Sequence, residues 1–368
     1  MRRTIQIAIA LFAFTVALPW LRAQQAPQFE VDTAWPKVPA QYKLGDASSV
    51  AIDAQDRVYV LHRPRTLKPE EASKMAPPVM VFDTAGNFVR GWGGAGAGFD
   101  WVQREHGIHI DNKGFVWIGG NNCASNPLPR LQPLWDDQVL KFTLDGKFVK
   151  QIGAPSKSTG NADTKNFHMP ADAAVYPKTN EVFIADGYGN HRVIVLDAET
   201  GAFKRMWGAF GNKPADLVRC PPWDVSASDD APQFSIVHAL RVSNDGTVYV
   251  ADREYQRVQA FTTDGKFLRQ YVHKTGTFAR NLAFSQDRDQ QFLYVGGGPE
   301  IFVLDRKTLA VVSTIKPAGL RNGGHQIATD SKGNLYVAQT GSGIQKLTYK
   351  GMGPASRQAT EGNEDLVA

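Results

Sequence analysis

The sequence lacks several features that common protein classes require. It has only two cysteines, Cys123 and Cys220, in 368 residues, so at most one disulfide can form. No long amphipathic helical pattern follows the first 23 residues, which argues against an α-helical fold. The one long apolar run, residues 5–18, is shorter than the roughly 20 residues that a helix needs to cross a bilayer. A helical bundle and a multi-span membrane protein are therefore excluded.

The N-terminal segment has the pattern of an export signal. Arg2 and Arg3 precede the apolar run, and Leu21-Arg22-Ala23 ends in a small residue at a candidate cleavage site. This pattern predicts a secretory signal peptide over residues 1–23 and an exported protein, periplasmic or secreted. An uncleaved anchor is the alternative, whereas cleavage would leave no membrane span.

The charge of the chain is nearly balanced once this segment is set aside. Without Arg2, Arg3 and Arg22 the 41 basic residues fall to 38, against 36 acidic residues. Such a surface gives no support for nucleic-acid binding. The expected partner is instead a small molecule or peptide, and the sequence specifies no oligomeric state.

Six similar segments, each roughly 40 to 50 residues long, follow one another along the chain. Each combines apolar strands of alternating pattern with D-G, N-G or K-G turns, in which glycine accepts a positive φ. This repeat predicts an all-β fold, a six-bladed β-propeller with four strands in most blades. The segments are 48–93, 106–153, 171–208, 238–272, 280–315 and 325–350.

The last segment supplies only three clear strands. Residues 29–32 (FEVD) have strand character and are predicted to provide the fourth, so that the N-terminal strand closes the ring and covers the sheet edges. The propeller then forms one domain over residues 24–350. The polar tail 351–368 has no strand pattern and is predicted to be disordered.

Three histidines recur at one position in alternate segments. When the innermost strands are aligned on their last apolar residue, blades two, four and six carry histidine four residues earlier. Alternate blades lie about 120° apart around a six-fold axis, so three imidazoles converge near it. Three nitrogen ligands with a free fourth position are typical of a catalytic zinc site, although iron, cobalt, nickel and copper also accept imidazoles. The six aligned residues are Ser48, His106, Ala171, His238, Arg280 and His325.

Two loops that return to the same rim carry candidate catalytic residues. Tyr188 stands between two glycines, which allow a tight loop to project the phenol inward. Beside a metal and an arginine its phenolate form is favoured, so it can accept a proton. Arg63 can hold a carboxylate with two hydrogen bonds.

The remaining polar residues of this rim are given lesser roles. His168 and Arg280 are weaker candidates for substrate contact. His62 is expected to point away from Arg63, because neighbouring side chains of a strand face opposite sides. The loops of Cys123 and Cys220 open on the same face, which leaves both a disulfide and two free thiols open. The residues expected to be purely structural are His109, His273, Asp252 and Arg253, the last two as ties between neighbouring blades or loops.

These motifs resemble the NHL family of propellers and, within it, the peptidyl-α-hydroxyglycine α-amidating lyases. The resemblance implies a zinc ion held by His106, His238 and His325, with Tyr188 and Arg63 in the active site. It implies cleavage of an N-acyl- or peptidyl-α-hydroxyglycine, a substrate with a carboxylate, to an amide and glyoxylate. The matching segments are VLHR (60–63), EHGIHID (105–111), DGYGNHRV (186–193), VHALRV (237–242), VADREYQRVQAF (250–261) and GHQIATD (324–330).

The sequence also departs from this family. Glu105, Val237 and Gly324 precede the three histidines where the family has proline, and Gln326 replaces an aspartate that helps to bind a structural calcium, so no calcium is expected. Three alternatives stay open: a metal-dependent hydrolase such as a lactonase, the same metal site acting on another substrate, and a non-catalytic exported binding propeller.

Overall fold

The chain forms six four-stranded antiparallel sheets. The computed structural model describes residues 24–125, 130–215, 229–274, 279–321 and 323–356. The first strands of neighbouring blades contact one another in a closed ring. The structure is therefore a six-bladed β-propeller, which confirms the predicted fold class.

The strands follow the repeat in chain order. The closing strand is β1 (Gln25–Asp32). Blades one and two are β2 (Asp46–Ile52), β3 (Val58–Arg63), β4 (Val79–Phe82), β5 (Phe88–Trp92), β6 (Glu105–Ile110), β7 (Phe115–Gly120), β8 (Gln138–Thr143) and β9 (Phe148–Gly153). Blades three and four are β10 (Asp172–Tyr176), β11 (Glu181–Asp186), β12 (Arg192–Asp197), β13 (Phe203–Trp207), β14 (Val237–Val242), β15 (Thr247–Asp252), β16 (Arg257–Thr262) and β17 (Phe267–Val272). Blades five and six are β18 (Leu282–Phe284), β19 (Phe292–Gly297), β20 (Glu300–Asp305), β21 (Val311–Ile315), β22 (Gln326–Thr329), β23 (Leu335–Gln339) and β24 (Gly343–Pro354).

The hairpins of a blade are closed by the predicted turn chemistry. Between β6 and β7 the carboxylate of Asp111 accepts hydrogen bonds from the backbone N–H groups of Lys113 and Phe115. Gly114 of the same turn has φ 77°, a conformation that only glycine adopts without strain. The D-x-x-G signature thus fixes the hairpin register, and with it the residues that reach the rim.

The ring is closed by the predicted N-terminal strand. β1 pairs antiparallel with β24, and Phe29 lies opposite Tyr349. Both elements are longer than predicted, because Gln25 pairs with Pro354 and Pro27 with Met352. Residues 351–354 are therefore strand, and the prediction of a tail beginning at residue 351 is wrong at this boundary. Most of the tail (357–368) and the predicted signal segment lie outside the described residues.

The hydrophobic core is divided among the interfaces between blades. One buried cluster lies at each of the six contacts between neighbouring blades, including that between blades six and one. Each blade buries one face against each neighbour, so every blade depends on the closure of the ring. The central axis itself is left free for polar groups.

Two fully buried ion pairs anchor the loops above blades three and four. Arg192 bonds Asp186 and Arg257 bonds Asp252, with Nε to carboxylate distances of 2.8 and 2.9 Å. The Asp252 carboxylate also accepts the backbone N–H of Ser235. Asp252 therefore ties β15 to the segment that enters blade four, as predicted.

The helices in the described part of the chain are short 3₁₀ turns, the longest of them Pro69–Lys74. Across the described ranges no helix has the length and apolar character needed to cross a bilayer.

Candidate metal centre

The three alternating histidines meet at one end of the central channel. His106 lies in β6, His238 in β14, and His325 directly before β22. Their nearest ligand atoms all lie within 4.8 Å of one another. The ring centroids are 4.6 to 5.0 Å apart. The predicted convergence is found, because one position in alternate blades faces the same point on the axis.

Each histidine is oriented by the blade that follows it. In every case the Nδ1 atom bonds a backbone carbonyl oxygen, so Nδ1 carries the proton and Nε2 keeps its lone pair. The acceptors are the residues that the odd-numbered blades place at the same aligned position. His106 bonds Ala171, His238 bonds Arg280, and His325 bonds Ser48.

Burial keeps the three imidazoles neutral. It is the first cause that lowers the pKa of each histidine well below its usual value, and neighbouring positive groups such as Arg63 add to the effect. Neutral imidazole is the form that binds a metal ion. The Nε2 atom of His238 is buried and has no hydrogen-bond partner in the described part of the chain. A metal ion would satisfy that atom, so the three residues fit a transition metal.

Tyr188 stands directly beside this cluster. Its hydroxyl oxygen lies 3.0 Å from Nε2 of His106 and 2.9 Å from Nη1 of Arg253. Because Nε2 is unprotonated, the hydroxyl donates to His106 and accepts from Arg253. The phenol is thus held by a positive charge on one side and a metal-ligand position on the other.

The glycines that flank Tyr188 are required by close approach. A Cβ atom on Gly187 would lie 2.3 Å from the backbone nitrogen of Val237, and one on Gly189 would lie 1.9 Å from the His168 ring. Neither glycine has a positive φ. The sequence-based expectation of a tight glycine loop therefore holds, with packing against blade four and His168 as its physical reason.

Arg253 belongs to the site, and it also ties neighbouring blades as predicted, because its Nη1 atom in blade four donates to the Tyr188 hydroxyl of blade three. Its guanidinium lies 5.3 Å from the centre of the Tyr188 ring and also pairs with Glu254. Asp252, one residue earlier, bonds the segment that enters blade four. The signal in the sequence was the position of Arg253 directly after a strand that ends at the histidine rim.

Arg63 lies at the same rim, buried at the end of β3. Its Nε atom donates to the carbonyl oxygen of Glu105, at 2.8 Å. Burial and the nearby arginines 104 and 65 lower its pKa to about 10, so it remains a cation at neutral pH. It is close enough to His106 and His325 to lower the pKa of both.

His62 points away from the site, as predicted. Its Nε2 atom donates to the carbonyl oxygen of Pro77 at 2.8 Å, and its Nδ1 atom accepts the backbone N–H of Gly45 at 3.1 Å. Both ring nitrogens therefore serve the local backbone, and the residue is structural.

Two further arginines are within electrostatic range of the phenol. Arg104 precedes β6, and the alignment of the strands did not identify it; Arg280 precedes β18 and was a weaker candidate. Each guanidinium interacts electrostatically with Tyr188 and Arg253. Burial is the main cause that lowers the pKa of both, and the neighbouring arginine charges lower it further.

Two further histidines have partners outside the histidine cluster. The Nδ1 atom of His168 bonds the carboxylate of Asp137 at 2.9 Å, and its ring packs on Trp135. His273 lies near the rings of Tyr271 and Phe302. His273 thus packs between blades four and five, as predicted for a structural residue. The His168 ring packs against Gly189 beside Tyr188, and its contact with a substrate stays a prediction.

The structure also describes Cys123, for which the sequence left a disulfide or a free thiol open, and Gln326, which follows the third histidine. Cys123 is disulfide-bonded, and Cys220, the other cysteine of the sequence, lies outside the described residues. Gln326 directs its amide nitrogen at the carbonyl oxygen of His238 at 3.5 Å.

The opposite end of the channel is built differently. A cavity of about 180 Å³ is lined there by later residues of the inner strands, including His109 and Arg241. His109 accepts the backbone N–H of Val175 at 3.1 Å through Nε2, and Arg241 pairs with the buried Asp172. The polar groups of this end bond one another, which agrees with the structural role predicted for His109.

Fold and site together define a six-bladed β-propeller with a three-histidine centre at one mouth of its channel. Its homologues include amidating enzymes and NHL repeat-containing proteins. The peptidyl-glycine α-amidating monooxygenase of Mus musculus is 28% identical over 352 residues, which is 87% of this chain and 32% of that protein. NHL repeat-containing protein 3 of Homo sapiens is 26% identical over 355 residues, 89% of this chain and 86% of that protein.

A probable peptidyl-α-hydroxyglycine α-amidating lyase of Caenorhabditis elegans is 27% identical over 256 residues, 66% of this chain and 63% of that protein. The chain thus spans about a third of the length of the amidating monooxygenases that it matches. No protein-family model matches the chain.

Proposed function

We propose that this protein is a metal-dependent carbon–nitrogen lyase that cleaves N-acyl- or peptidyl-α-hydroxyglycine to an amide and glyoxylate. The observation that carries the proposal is the Tyr188 hydroxyl, held 3.0 Å from a ligand atom of the histidine cluster and 2.9 Å from an arginine. A proton acceptor, a cation and a metal position thus meet at one point. The similarity to a probable lyase of this kind supports the same reaction.

The proposed metal is zinc, held by Nε2 of His106, His238 and His325. When bound, it supplies Lewis-acid polarisation of the carbinol oxygen. The His106 Nε2 atom has a single lone pair, which cannot serve both a metal and the Tyr188 hydroxyl. With the metal in place the hydroxyl is therefore available to a substrate.

Tyr188 is the group that moves the proton. As a phenolate, stabilised by the guanidinium of Arg253, it accepts the proton of the carbinol hydroxyl. The carbon–oxygen bond becomes a carbonyl, and the bond between the α-carbon and the amide nitrogen breaks. The leaving nitrogen takes up a proton, which Tyr188 can return. The products are a primary amide and glyoxylate, so one proton passes from oxygen to nitrogen and no redox change occurs.

The arginines hold the acid end of the substrate. Arg63 lies beside the histidines with its Nε atom committed to the Glu105 carbonyl, which fixes the direction of the guanidinium. The other nitrogens of the group can donate to the carboxylate of the hydroxyglycine unit. Binding this carboxylate would place the carbinol carbon between Tyr188 and the metal ligands.

The decisive experiment is glyoxylate release from α-hydroxyhippurate by the purified protein, before and after chelation and with zinc added back. The expected result is release that chelation abolishes and zinc restores. Tyr188→Phe should lower kcat by roughly 10²- to 10⁴-fold, the usual contribution of a general base, with metal content unchanged. The matched control is Tyr176→Phe in the same blade, which should retain turnover.

The other outcomes separate the alternatives. Release by Tyr188→Phe at the wild-type rate would remove the proposed base. A metal-loaded protein that releases no glyoxylate would keep the site and require another substrate, such as that of a hydrolase or lactonase. A metal-free protein that cannot be reloaded would favour a binding propeller.

We also propose that the protein is exported. Cys123 is disulfide-bonded, and disulfides persist in oxidising compartments. Fractionation of cells that express the full chain should recover it outside the cytoplasm; a cytoplasmic protein with reduced thiols would contradict export.

A further inference from the structure

Two arginines of the histidine rim have no role in the proposed reaction. Arg104 stands two residues before His106, and Arg280 provides only its backbone carbonyl to His238. Both guanidiniums interact electrostatically with Tyr188 and Arg253, so both are within electrostatic range of the reacting position. Both side chains are only partly exposed. Their presence needs a separate explanation.

Neither guanidinium is fully paired within the described part of the chain. The Nε atoms of Arg104 and Arg280 are buried and lack a hydrogen-bond partner. By contrast, the buried arginines 192 and 257, which hold the loops of blades three and four, direct Nε at a carboxylate. A buried donor without a partner is costly to a protein, and at a functional site it indicates a group that arrives with the ligand.

Positive charge exceeds negative charge around this rim. The carboxyl groups that face it already have partners: Glu105 bonds Arg65 and the Trp101 indole, and Glu254 bonds Arg253. Asp136 accepts backbone N–H groups, among them that of Arg104. The guanidiniums of Arg63, Arg65, Arg104, Arg253 and Arg280, by contrast, each act electrostatically on at least one other of the group.

We propose that Arg104 and Arg280 bind a second carboxylate, carried by the acyl part of the substrate. The preferred substrate is then a dicarboxylate: an α-hydroxyglycine whose N-acyl chain ends in an acid. Arg63 holds the carboxylate of the glycine unit. Arg104 and Arg280 precede the first strands of blades two and five, on opposite sides of the rim, and each donates charge-assisted hydrogen bonds to the acyl carboxylate from its own side. This inference rests on the proposed lyase function for the identity of the reacting group.

The test compares two substrates that differ only in the distal group. N-glutaryl-α-hydroxyglycine carries a terminal carboxylate, and its terminal amide is the uncharged counterpart of equal size. The wild-type protein should prefer the acid by roughly tenfold or more in kcat/KM, as expected for one charged hydrogen-bonding site. Arg104→Gln and Arg280→Gln should each bring this ratio close to one.

Matched controls distinguish loss of carboxylate recognition from a general loss of structure. Arg288→Gln alters an exposed arginine in the turn before β19, and it should leave the acid-to-amide ratio as in the wild type. Metal content and thermal midpoint are measured for every variant, so that a misfolded protein is recognised. Equal turnover of acid and amide by the wild type would overturn the proposal. So would a loss in Arg104→Gln that is equal for both substrates.

A binding measurement distinguishes failure of the subsite from failure of the lyase. If no hydroxyglycine substrate releases glyoxylate, the proposed reaction is wrong, and calorimetry with glutarate and glutaramate becomes decisive. Tighter binding of glutarate that is lost in Arg104→Gln would support the second carboxylate position independently of the reaction. Equal binding of both compounds, or a preference for glutarate that survives in Arg104→Gln, would overturn it.

Discussion

The two ends of the central channel use the same kinds of residue to opposite effect. At one end His106, His238 and His325 aim their Nε2 atoms at a common point, and that of His238 is buried without a partner. At the other end His109 bonds the backbone of blade three, and Asp172 pairs with Arg241. Polar groups that bond one another stabilise the ring. Polar groups that converge without bonding one another await a ligand.

His106 and His109 show the difference within one strand. Both lie in β6, and burial lowers the pKa of both. Both also bond the backbone of blade three, His106 as a donor to Ala171 and His109 as an acceptor from Val175. Burial and a depressed pKa therefore do not identify the functional histidine. What distinguishes His106 is that two further imidazoles and the Tyr188 hydroxyl approach its unprotonated Nε2 atom.

The largest expected difference is between histidine-to-glutamine substitutions at the two ends of the central channel. His238→Gln should lose the bound metal and reduce glyoxylate release to background, because two imidazoles remain where three are needed for the site. His109→Gln should keep the bound metal and the glyoxylate release, since the glutamine side chain can accept the hydrogen bond from the Val175 backbone N–H in place of the imidazole. Metal analysis and the release assay measure the pair. Retention of full metal by His238→Gln would show that this histidine is not a ligand.

Disruption of the Arg241–Asp172 ion pair, at the end of the channel opposite the three histidines, should lower stability and leave the metal in place. Asp172→Asn removes the charge that faces the partly buried Arg241 guanidinium. The loss of one partner of a buried pair costs about 3 kcal/mol in the free energy of unfolding. Urea unfolding and metal analysis test this. Loss of metal from Asp172→Asn would mean that the two ends of the channel are coupled.

The smallest expected effect is a change in pH dependence at the far end. The folded-state pKa of His109 is lowered to about 3, chiefly by burial and also by Arg241. The unfolded chain therefore takes up this proton first, near pH 6.5. The stability contributed by neutral His109 is present above that pH and is lost by about 1.4 kcal/mol per pH unit as the pH falls toward 3.

The measurement is the difference in unfolding free energy between the wild type and His109→Gln, both metal-free, at several pH values between 7.5 and 5. The difference should shrink as the pH falls. Asp136 and Asp252 have pKa values raised to about 7 and 6 by burial, so they act in the opposite direction, but both proteins contain them and their effect cancels. A constant difference would show that His109 is not held neutral.

Much of the site could be predicted because the fold is a repeat. The D-x-x-G turns fix the hairpin registers, so aligned residues occupy equivalent positions around the axis. That is why His106, His238 and His325 could be brought together from their spacing alone. The same alignment named Ser48, Ala171 and Arg280, but it gave no sign that their carbonyl groups orient the histidines, since every residue has a carbonyl.

The sequence by itself determined the number of blades, the closing strand and the position of the three histidines, because these depend on local turn chemistry and strand periodicity. Only the tertiary structure decided which loop side chains reach the axis. Asp252 and Arg253 are neighbours with different roles: Asp252 ties the segment that enters blade four, and Arg253 bonds the Tyr188 hydroxyl of blade three. Arg104 of blade two likewise comes within electrostatic range of Tyr188 in blade three and Arg253 in blade four. Such directions depend on loop conformation and on packing between residues far apart in the chain, which no local pattern records.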